Sequence, residues 1–217
     1  MTRRPRLFPT TAAGATAALL LLTACGGGGT EPKGHDEIAG AGGARSASPG
    51  VRATPPAGRP EIELPSDLTY TFEWPKTGDE DKDAVLRDSE QSIRAVDLAI
   101  ANQDALDKAY LFYYEGEAAA QTQKFVEAYV NAKARTTGTY RYYAPAVKVN
   151  GADSASLVYC EDQSKAYDMY LKPKRIDKTA VTKNSYVLYN TQLHKNGKGV
   201  WVIEKLLSQR GSTKCRP

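Results

Sequence analysis

The sequence predicts an α+β domain in which three N-terminal helices pack on a curved, five-strand antiparallel sheet, after a signal peptide and a disordered linker. Apolar residues recur every three or four positions before Gly138 and every second position after it, which marks a change from helices to strands. All 13 Tyr follow Pro65, whereas 10 of the 18 Gly lie between Gly26 and Gly58. These distributions predict one domain, residues 66–217, behind a segment that has no core.

The composition excludes several classes of protein. With 25% charged and 41% hydrophobic residues among 217, the chain fits neither a polytopic membrane protein nor a collagen-like or mostly disordered one. The formal charge of +4 falls to +1 without Arg3, Arg4 and Arg6. A charge so close to zero gives no reason to expect nucleic acid as a partner.

Residues 1–24 form a predicted export signal. Arg3, Arg4 and Arg6 precede an apolar run, residues 11–22, that is too short to remain as a membrane span. We therefore expect this segment to be cleaved from the mature protein. The pair Arg3-Arg4 leaves the general secretory and the twin-arginine export routes both open.

The end of this signal resembles the lipobox of bacterial lipoproteins. Leu22-Thr23-Ala24-Cys25 has the aliphatic residue, the two small residues and the cysteine of that motif. The resemblance implies cleavage before Cys25 and a diacylglyceryl group on its thiol, which is a good nucleophile near neutral pH. Two acyl chains would hold the protein durably on the extracytoplasmic face of the cell membrane. An ordinary secretory signal with a chance cysteine is the alternative.

Residues 25–65 are a predicted flexible linker. Between residues 26 and 60 there are 10 Gly and 5 Pro, with Ile38 and Val51 as the only large aliphatic side chains. Such a stretch cannot bury enough apolar surface to offset its chain entropy, and as a coil it extends about 30 Å. His35, beside two acidic residues, fits a solvated loop better than a metal site.

Three helices are predicted next. Thr77-Gly78-Asp79-Glu80 has the T-x-x-E pattern of a capping box, so we expect the first helix to begin there. Shorter patterns predict a second helix near residues 105–113 and a third over residues 118–130. The buried face of the first helix is expected to hold Val85, Leu86, Ser89, Ile93, Val96 and Ile100. Its opposite face is expected to hold Asp88, Glu90, Arg94 and Asp97.

The predicted strands are residues 140–149, 154–160, 165–171, 186–194 and 200–207. Asn150-Gly151 and Asn196-Gly197 favour hairpin turns, because asparagine and glycine adopt positive φ easily. The polar run 161–164 predicts a further turn between the second and third strands. Pro145 cannot donate to a ladder and therefore indicates a sheet edge or a bulge.

Several features together resemble the actinobacterial, Streptomyces-type lipoproteins that have a nuclear transport factor 2-like fold and mostly no assigned function. They are Gly116-Glu117-Ala118, Gly138, the run from Cys160 to Ser164, Trp201 and Cys215. The resemblance covers about residues 70–217 and implies a cone formed by helices and sheet. The fold family includes ketosteroid isomerases, epoxide hydrolases and non-catalytic binding modules, so the resemblance implies no particular activity.

The cysteine count predicts one disulfide. With Cys25 lipidated, Cys160 and Cys215 remain as an even pair in an oxidising compartment. A bridge between them would stabilise the domain by about 4 kcal/mol in the chain-entropy model. Two free thiols, or a redox pair, are the alternative.

No catalytic motif is present, and neither a metal nor a cofactor is predicted. His194 is the only histidine of the domain, no Gly-x-Ser-x-Gly occurs, and no Gly-rich phosphate loop is found. An acid–base site in the cone would draw on a carboxylate and a tyrosine. The candidates are Glu161, Asp168 and Glu204 with Tyr159 or Tyr170, and each also fits a solvated face of the sheet.

Two further groups of residues are candidate contact sites. An aromatic ligand cleft would be formed by Tyr110, Tyr113, Tyr129, Tyr159, Tyr170 and Asp168, although core and rim packing is the simpler explanation of the tyrosines. Residues 61–107 contain 13 acidic and 4 basic residues, whereas residues 108–217 contain 9 and 18. Contact with anionic lipid head groups or wall polymers would involve Lys172, Lys174, Arg175, Lys178 and Lys183. Solvated faces of opposite charge are the simpler explanation.

These observations predict a membrane-anchored, extracytoplasmic lipoprotein whose domain is a non-catalytic ligand-binding or protein-interaction module. Its expected partners are the membrane, through Cys25, and either an envelope protein or a small hydrophobic ligand. One alternative is an isomerase- or hydrolase-type enzyme with a carboxylate–tyrosine site. The other is a structural protein of envelope assembly.

Overall fold

The computed structural model describes residues 58–216. The predicted α+β class is confirmed, since helices pack through one apolar cluster against a sheet. The elements are β1 (Leu68–Phe72), α1 (Glu80–Ala101), α2 (Lys108–Leu111), α3 (Gly116–Ala132), β2 (Ala134–Asn150), β3 (Ser154–Leu171), β4 (Lys174–Asp177), β5 (Tyr186–Lys195) and β6 (Trp201–Arg210). The sheet order is β1-β2-β3-β5-β6, with β4 paired to β3. The signal peptide, Cys25 and most of the predicted linker lie outside the described residues.

The sheet has six strands and is mixed, so the prediction of five antiparallel strands after three helices is wrong in two respects. β1 precedes every helix and pairs in parallel with β2, with Leu68 opposite Gly138 and Phe72 opposite Tyr142. Leu68, Tyr70 and Phe72 alternate along β1 and join the apolar cluster. A strand of five residues carries a weak periodic signal, which explains why it was missed.

The first helix begins at Glu80, and its N-cap is Asp79 rather than Thr77. The Asp79 carboxylate accepts hydrogen bonds from the backbone N–H of Asp81 and Lys82, both at 3.1 Å. The backbone bond from Lys82 is the main reason that the pKa of Asp79 lies below its usual value. Thr77 instead donates through its hydroxyl to Asp83 at 2.8 Å. The predicted apolar face is buried as expected.

The structure contradicts the predicted turn at residues 161–164, because β3 runs through it as one strand of 18 residues. Within β3, Glu161 pairs with Tyr142 of β2 and with Val187 of β5, so the strand is central. The polar run produces a bulge, marked by the register shift between Thr139 and Arg141 of β2. The chain does not reverse there, because neighbouring side chains satisfy Glu161 inside the sheet.

Both predicted Asn-Gly hairpins are present. Gly151 has φ +70° in the β2–β3 turn, whereas in the β5–β6 turn the positive φ falls on Gly199 and not on Gly197. The predicted bulge at Pro145 is confirmed by a register shift between Tyr143 and Ala146.

Cys160 and Cys215 form the predicted disulfide, with their Cα atoms 5.4 Å apart. The bridge ties the C-terminal segment to the middle of β3. The hydroxyl of Tyr143 donates to the carbonyl of Cys215. Both contacts hold the tail against the sheet.

The contacts of the domain begin before the predicted boundary at residue 66. Arg59 pairs with Asp88 of α1 at 2.5 Å, and Ile62 and Leu64 pack on the apolar cluster. No helix between residues 58 and 216 is both long and apolar enough to cross a membrane.

Candidate functional site

A pocket of about 50 Å³ lies between the helices and the sheet. α1 and α3 each contribute two side chains one turn apart. β6 contributes two side chains that are two residues apart and therefore lie on one face of the strand. Tyr159 and Tyr189 are cross-strand partners in β3 and β5. The lining residues are Ile93, Val96, Tyr114, Thr122, Phe125, Tyr159, Tyr189, Leu206 and Ser208.

Tyr114 is placed in this wall by backbone pairing with β6. The N–H of Ile203 donates to the carbonyl of Tyr113 at 2.9 Å, and the N–H of Glu115 donates to the carbonyl of Ile203 at 3.0 Å. These two bonds hold the backbone of residues 113–115 beside β6, where the side chain of Tyr114 is buried in the pocket wall.

A fully buried carboxylate, that of Glu161, adjoins the pocket. Glu161 lies two residues beyond Tyr159 on the same face of β3, and it is 0% exposed. Its oxygens accept hydrogen bonds from the hydroxyl of Tyr142 at 2.9 Å and from that of Tyr189 at 3.0 Å. Gln163 adds a third donor through Nε2 at 2.6 Å. The pocket residue Tyr189 thus connects the apolar cavity to a buried carboxyl group.

Gln163 is itself held by a cation. The guanidinium of Arg210 donates to Oε1 of Gln163 at 2.8 Å, which orients the amide so that its nitrogen faces Glu161. Hydrogen bonds thus connect β6 through β3 to the pocket. Because of these bonds, the position of Glu161 depends on three strands of the sheet.

Aromatic rings form a layer behind the pocket. Tyr159 stacks on Tyr189 with centroids 5.0 Å apart, and Trp74 meets the edge of Tyr159 at 5.5 Å. Phe72 and Tyr142 stack at 4.8 Å in the same layer. These rigid side chains give the wall a fixed shape at low conformational cost.

The six residues of the predicted cleft do not line one pocket. Tyr159 lines the pocket just described, whereas Tyr129 packs on Phe125 and donates to Asp168 at 2.8 Å. Arg175 covers the ring of Tyr170 at 4.5 Å.

Tyr110 and Tyr113 are core residues. The hydroxyl of Tyr110 donates to the carbonyl of Ala105 at 2.6 Å. Burial raises the pKa of Tyr113, whose hydroxyl faces Arg59. Neither side chain lines the pocket described above.

The candidate acid–base residues also lie apart. Glu161 is grouped with Tyr142 and Tyr189 rather than with Tyr159 or Tyr170. Glu204 is half exposed on β6, where His194 lies 3.1 Å away. Within the described part of the chain, no three His, Cys, Asp or Glu side chains converge as metal ligands.

Two buried carboxylates on α1 were predicted to face solvent, and this prediction is wrong. Asp88 and Asp97 are both 0% exposed. Asp97 accepts hydrogen bonds from the hydroxyl of Tyr70 at 2.6 Å and from that of Thr136 at 3.0 Å. Both positions flank the apolar stripe of α1, and this adjacency is the signal that could have found them.

A second, wider groove of about 660 Å³ follows the first turns of α1. Three of its six charged side chains are held by partners, since Asp83 accepts from Thr77, Asp81 pairs with Lys195 and Glu90 pairs with Arg94. We therefore take the smaller, aromatic pocket as the candidate site.

The five predicted cationic contact residues surround β4. All five are exposed, and the segment that carries them, residues 172–184, is mostly exposed as well. This basic segment is separate from the aromatic pocket, because none of its residues lines that pocket.

No family model matches this sequence, and no curated protein matches it. Among solved structures, a ketosteroid isomerase-like protein from Erwinia carotovora atroseptica SCRI1043 has 11% identity and a TM-score of 0.42, covering 62% of this chain and 98% of its own. The intermembrane space region of the chloroplast protein ARC6 has 10% identity and a TM-score of 0.41, covering 63% of this chain and 99% of its own. A putative scytalone dehydratase from Novosphingobium aromaticivorans DSM 12444 has 8% identity and a TM-score of 0.34, covering 63% of this chain and 95% of its own. At these values the similarities carry no argument about activity.

Proposed function

We propose that this protein is a lipoprotein of the extracytoplasmic face of the cell membrane, and that its nuclear transport factor 2-like domain binds a small hydrophobic ligand. The lipobox-like sequence that ends in Cys25 supports the anchor. The aromatic pocket beside Glu161 supports ligand binding, and this is the observation on which the proposed function depends.

The size and lining of the pocket define the ligand. A buried water needs roughly 10–15 Å³ on this measure of volume and a cavity that binds benzene about 150 Å³, so a pocket of about 50 Å³ admits part of a ring or a small alkyl group. Ile93, Val96 and Leu206 favour an apolar group, whereas the hydroxyls of Thr122 and Ser208 provide hydrogen bonds. The ligand is therefore a small amphiphile, or the ring-bearing end of a larger one.

The bonding of Glu161 favours binding over catalysis. A general base must come within about 2.6–3.2 Å of the proton that it removes. Glu161 is fully buried behind the pocket wall, and its two oxygens already accept from Tyr142, Tyr189 and Gln163. This arrangement suits a group that fixes the shape and the field of the site.

An isomerase- or hydrolase-type enzyme is the second candidate function. It is favoured by the contact between Tyr129 and Asp168, which is a tyrosine–carboxylate pair of the predicted kind. Tyr129 also packs on Phe125, a residue of the pocket wall, so the pair lies next to the proposed ligand site.

The pocket is tested with p-cresol, a single ring with one hydroxyl, followed by NMR of the methyl groups. We expect saturable shifts at Ile93, Val96 and Leu206. Ser208→Phe fills the pocket and should weaken binding at least about tenfold, which is about 1.4 kcal/mol. Gln209→Phe is the matched control, because it adds the same ring at the exposed neighbouring position. Unsaturated shifts spread over the whole surface, or equal binding by all three proteins, would refute the site.

The anchor is tested by Cys25→Ser in the intact precursor. We expect the variant to leave the membrane fraction, because the thioether to the diacylglyceryl group can no longer form. A variant that is processed like its parent and remains equally firmly with the membrane would refute the lipoprotein assignment.

A further inference from the structure

We propose that residues 172–184, here called the basic arm, dock on an anionic lipid bilayer. The proposal rests on the membrane location given above and adds a second contact with the membrane. The arm holds five cations and one acidic residue: Lys172, Lys174, Arg175, Lys178, Lys183 and Asp177. Clusters of lysine and arginine next to a membrane anchor bind anionic head groups.

The cations of the arm are available to solvent. Lys172, Lys174, Arg175, Lys178 and Lys183 are all exposed. Arg175 approaches Asp177 at a long distance of 3.9 Å, with 58% of its side chain exposed. With Asp177 counted, the arm keeps a formal net charge of +4, and so weak a pair leaves the guanidinium of Arg175 available.

The position of the arm makes it accessible to a flat surface. β4 pairs with β3 alone and lies off the main path of the sheet. The N–H of Leu171 donates to the carbonyl of Lys133 at 2.8 Å, which places a further exposed cation beside the start of the arm. The cations therefore gather at one end of the domain.

Apolar side chains within the arm favour a bilayer over an anionic wall polymer. Ile176 is 43% exposed and Val181 is 57% exposed, so both can contact a surface that docks on the arm. Lys174 and Ile176 are two residues apart in β4 and so lie on one face. A bilayer accepts apolar side chains below its charged head groups, whereas a hydrated polymer offers them nothing.

The predicted flexible linker, here called the tether, permits both membrane contacts at once. The domain is joined to it at Arg59, which binds Asp88 in the first half of α1. Gln103, just beyond this helix, donates to the carbonyl of Ala134. Ala134 follows Lys133, which lies beside the start of the arm, so the arm lies at the other end of α1. Asp88 and Ala101 are about 20 Å apart along the helix, and the predicted tether extends about 30 Å. The tether thus holds the arm close to the membrane and raises its local concentration there.

The test uses the mature chain with Cys25→Ser, so that no acyl group takes part. It is sedimented with vesicles of phosphatidylcholine alone or of phosphatidylcholine with phosphatidylglycerol. We expect binding to the anionic vesicles only, and loss of binding as salt is added. Lys174→Gln with Arg175→Gln should weaken that binding about 20-fold. Arg87→Gln with Lys124→Gln removes the same charge from exposed helix positions and should weaken it less than about twofold.

The apolar contribution is tested by Ile176→Ser with Val181→Ser, which keeps every charge. We expect about a tenfold loss on anionic vesicles and no change on a soluble poly(glycerol phosphate). Thermal melting confirms that each variant is folded.

Equal binding to both kinds of vesicle would overturn the proposal, as would an equal loss in the helix control. Tight binding to the polymer together with an unaffected Ser variant would assign the arm to wall polymers instead. Because the chain carries no lipid, failure here is distinct from failure of the anchor, which the membrane fraction reports, and from failure of the pocket, which p-cresol reports.

Discussion

Arg59 and Asp88 form a buried ion pair that fastens the start of the described chain to the domain. The two side chains are 2.5 Å apart and are 13% and 0% exposed. The backbone N–H of Trp201 donates to the same carboxylate at 2.9 Å. Burial lowers the pKa of Arg59, but the hydrogen bond and the charge of Asp88 outweigh this effect and raise it above its ordinary value. The guanidinium of Arg59 therefore remains charged.

We predict that Arg59→Ala lowers the free energy of unfolding by about 3 kcal/mol, because it leaves a buried carboxylate without its cation. Asp88→Asn in the same chain should recover part of that loss. Arg87→Ala is the control, since Arg87 is an exposed cation of the same helix, and its effect should stay within about 0.5 kcal/mol. Urea unfolding measures all four proteins. An Arg59→Ala protein as stable as its parent would contradict the prediction.

At the scale of elements, Gly138 lets β1, β2 and β3 meet. Its N–H donates to the carbonyl of Asp67 at 2.8 Å as β1 begins, and its φ is +94°. A Cβ at this position would lie 2.3 Å from the carbonyl oxygen of Lys165 in β3. Neither the backbone angle nor the space suits any other residue.

We predict that Gly138→Ala destabilises the domain by about 2–4 kcal/mol, through the cost of positive φ and the clash with backbone. Gly151→Ala is the matched control, because its φ of +70° is similar but its surroundings are open. Gly151→Ala should destabilise the domain by about 1 kcal/mol, because it meets only the cost of positive φ and no clash. Thermal unfolding compares the two, and equal losses would show that the close approach to Lys165 is unimportant.

At the scale of the whole molecule, the two oppositely charged halves of the sequence bind each other. Asp67 pairs with Arg135 at 2.8 Å, Glu73 with Arg141 at 2.7 Å and Asp81 with Lys195 at 2.6 Å. The hydrogen bond from Arg135 is the largest reason for the lowered pKa of Asp67. Exposed pairs contribute little individually, so their main effect is to orient β1 and α1 on the sheet.

The disulfide acts on the whole chain, because it closes a loop of 55 residues. We predict that Cys160→Ala with Cys215→Ala lowers the free energy of unfolding by about 4 kcal/mol in the chain-entropy model. Urea unfolding with and without dithiothreitol is the measurement. The reductant should destabilise the parent by a similar amount and leave the double variant unchanged. A parent that is insensitive to reductant would contradict the bridge.

Part of the candidate site could be predicted from the sequence. The sequence places Tyr159 near a ligand and Glu161 among the candidate carboxylates, although it predicts a turn at residues 161–164. Their partners could not be predicted. Tyr142 and Tyr189 lie 19 and 28 residues from Glu161 in the chain, and only the pairing of β2, β3 and β5 brings them together.

The sequence by itself determined the α+β class, the two hairpins, the bulge at Pro145 and the cysteine pair. These features depend on local spacing, backbone preference or the parity of a count, which neighbouring residues or composition settle. The tertiary structure decided that β1 joins the sheet in parallel, that β3 continues through residues 161–164, and that Asp88, Asp97 and Glu161 are buried. A polar residue can enter a core only where distant elements supply its hydrogen bonds, and those donors come together only when the chain folds.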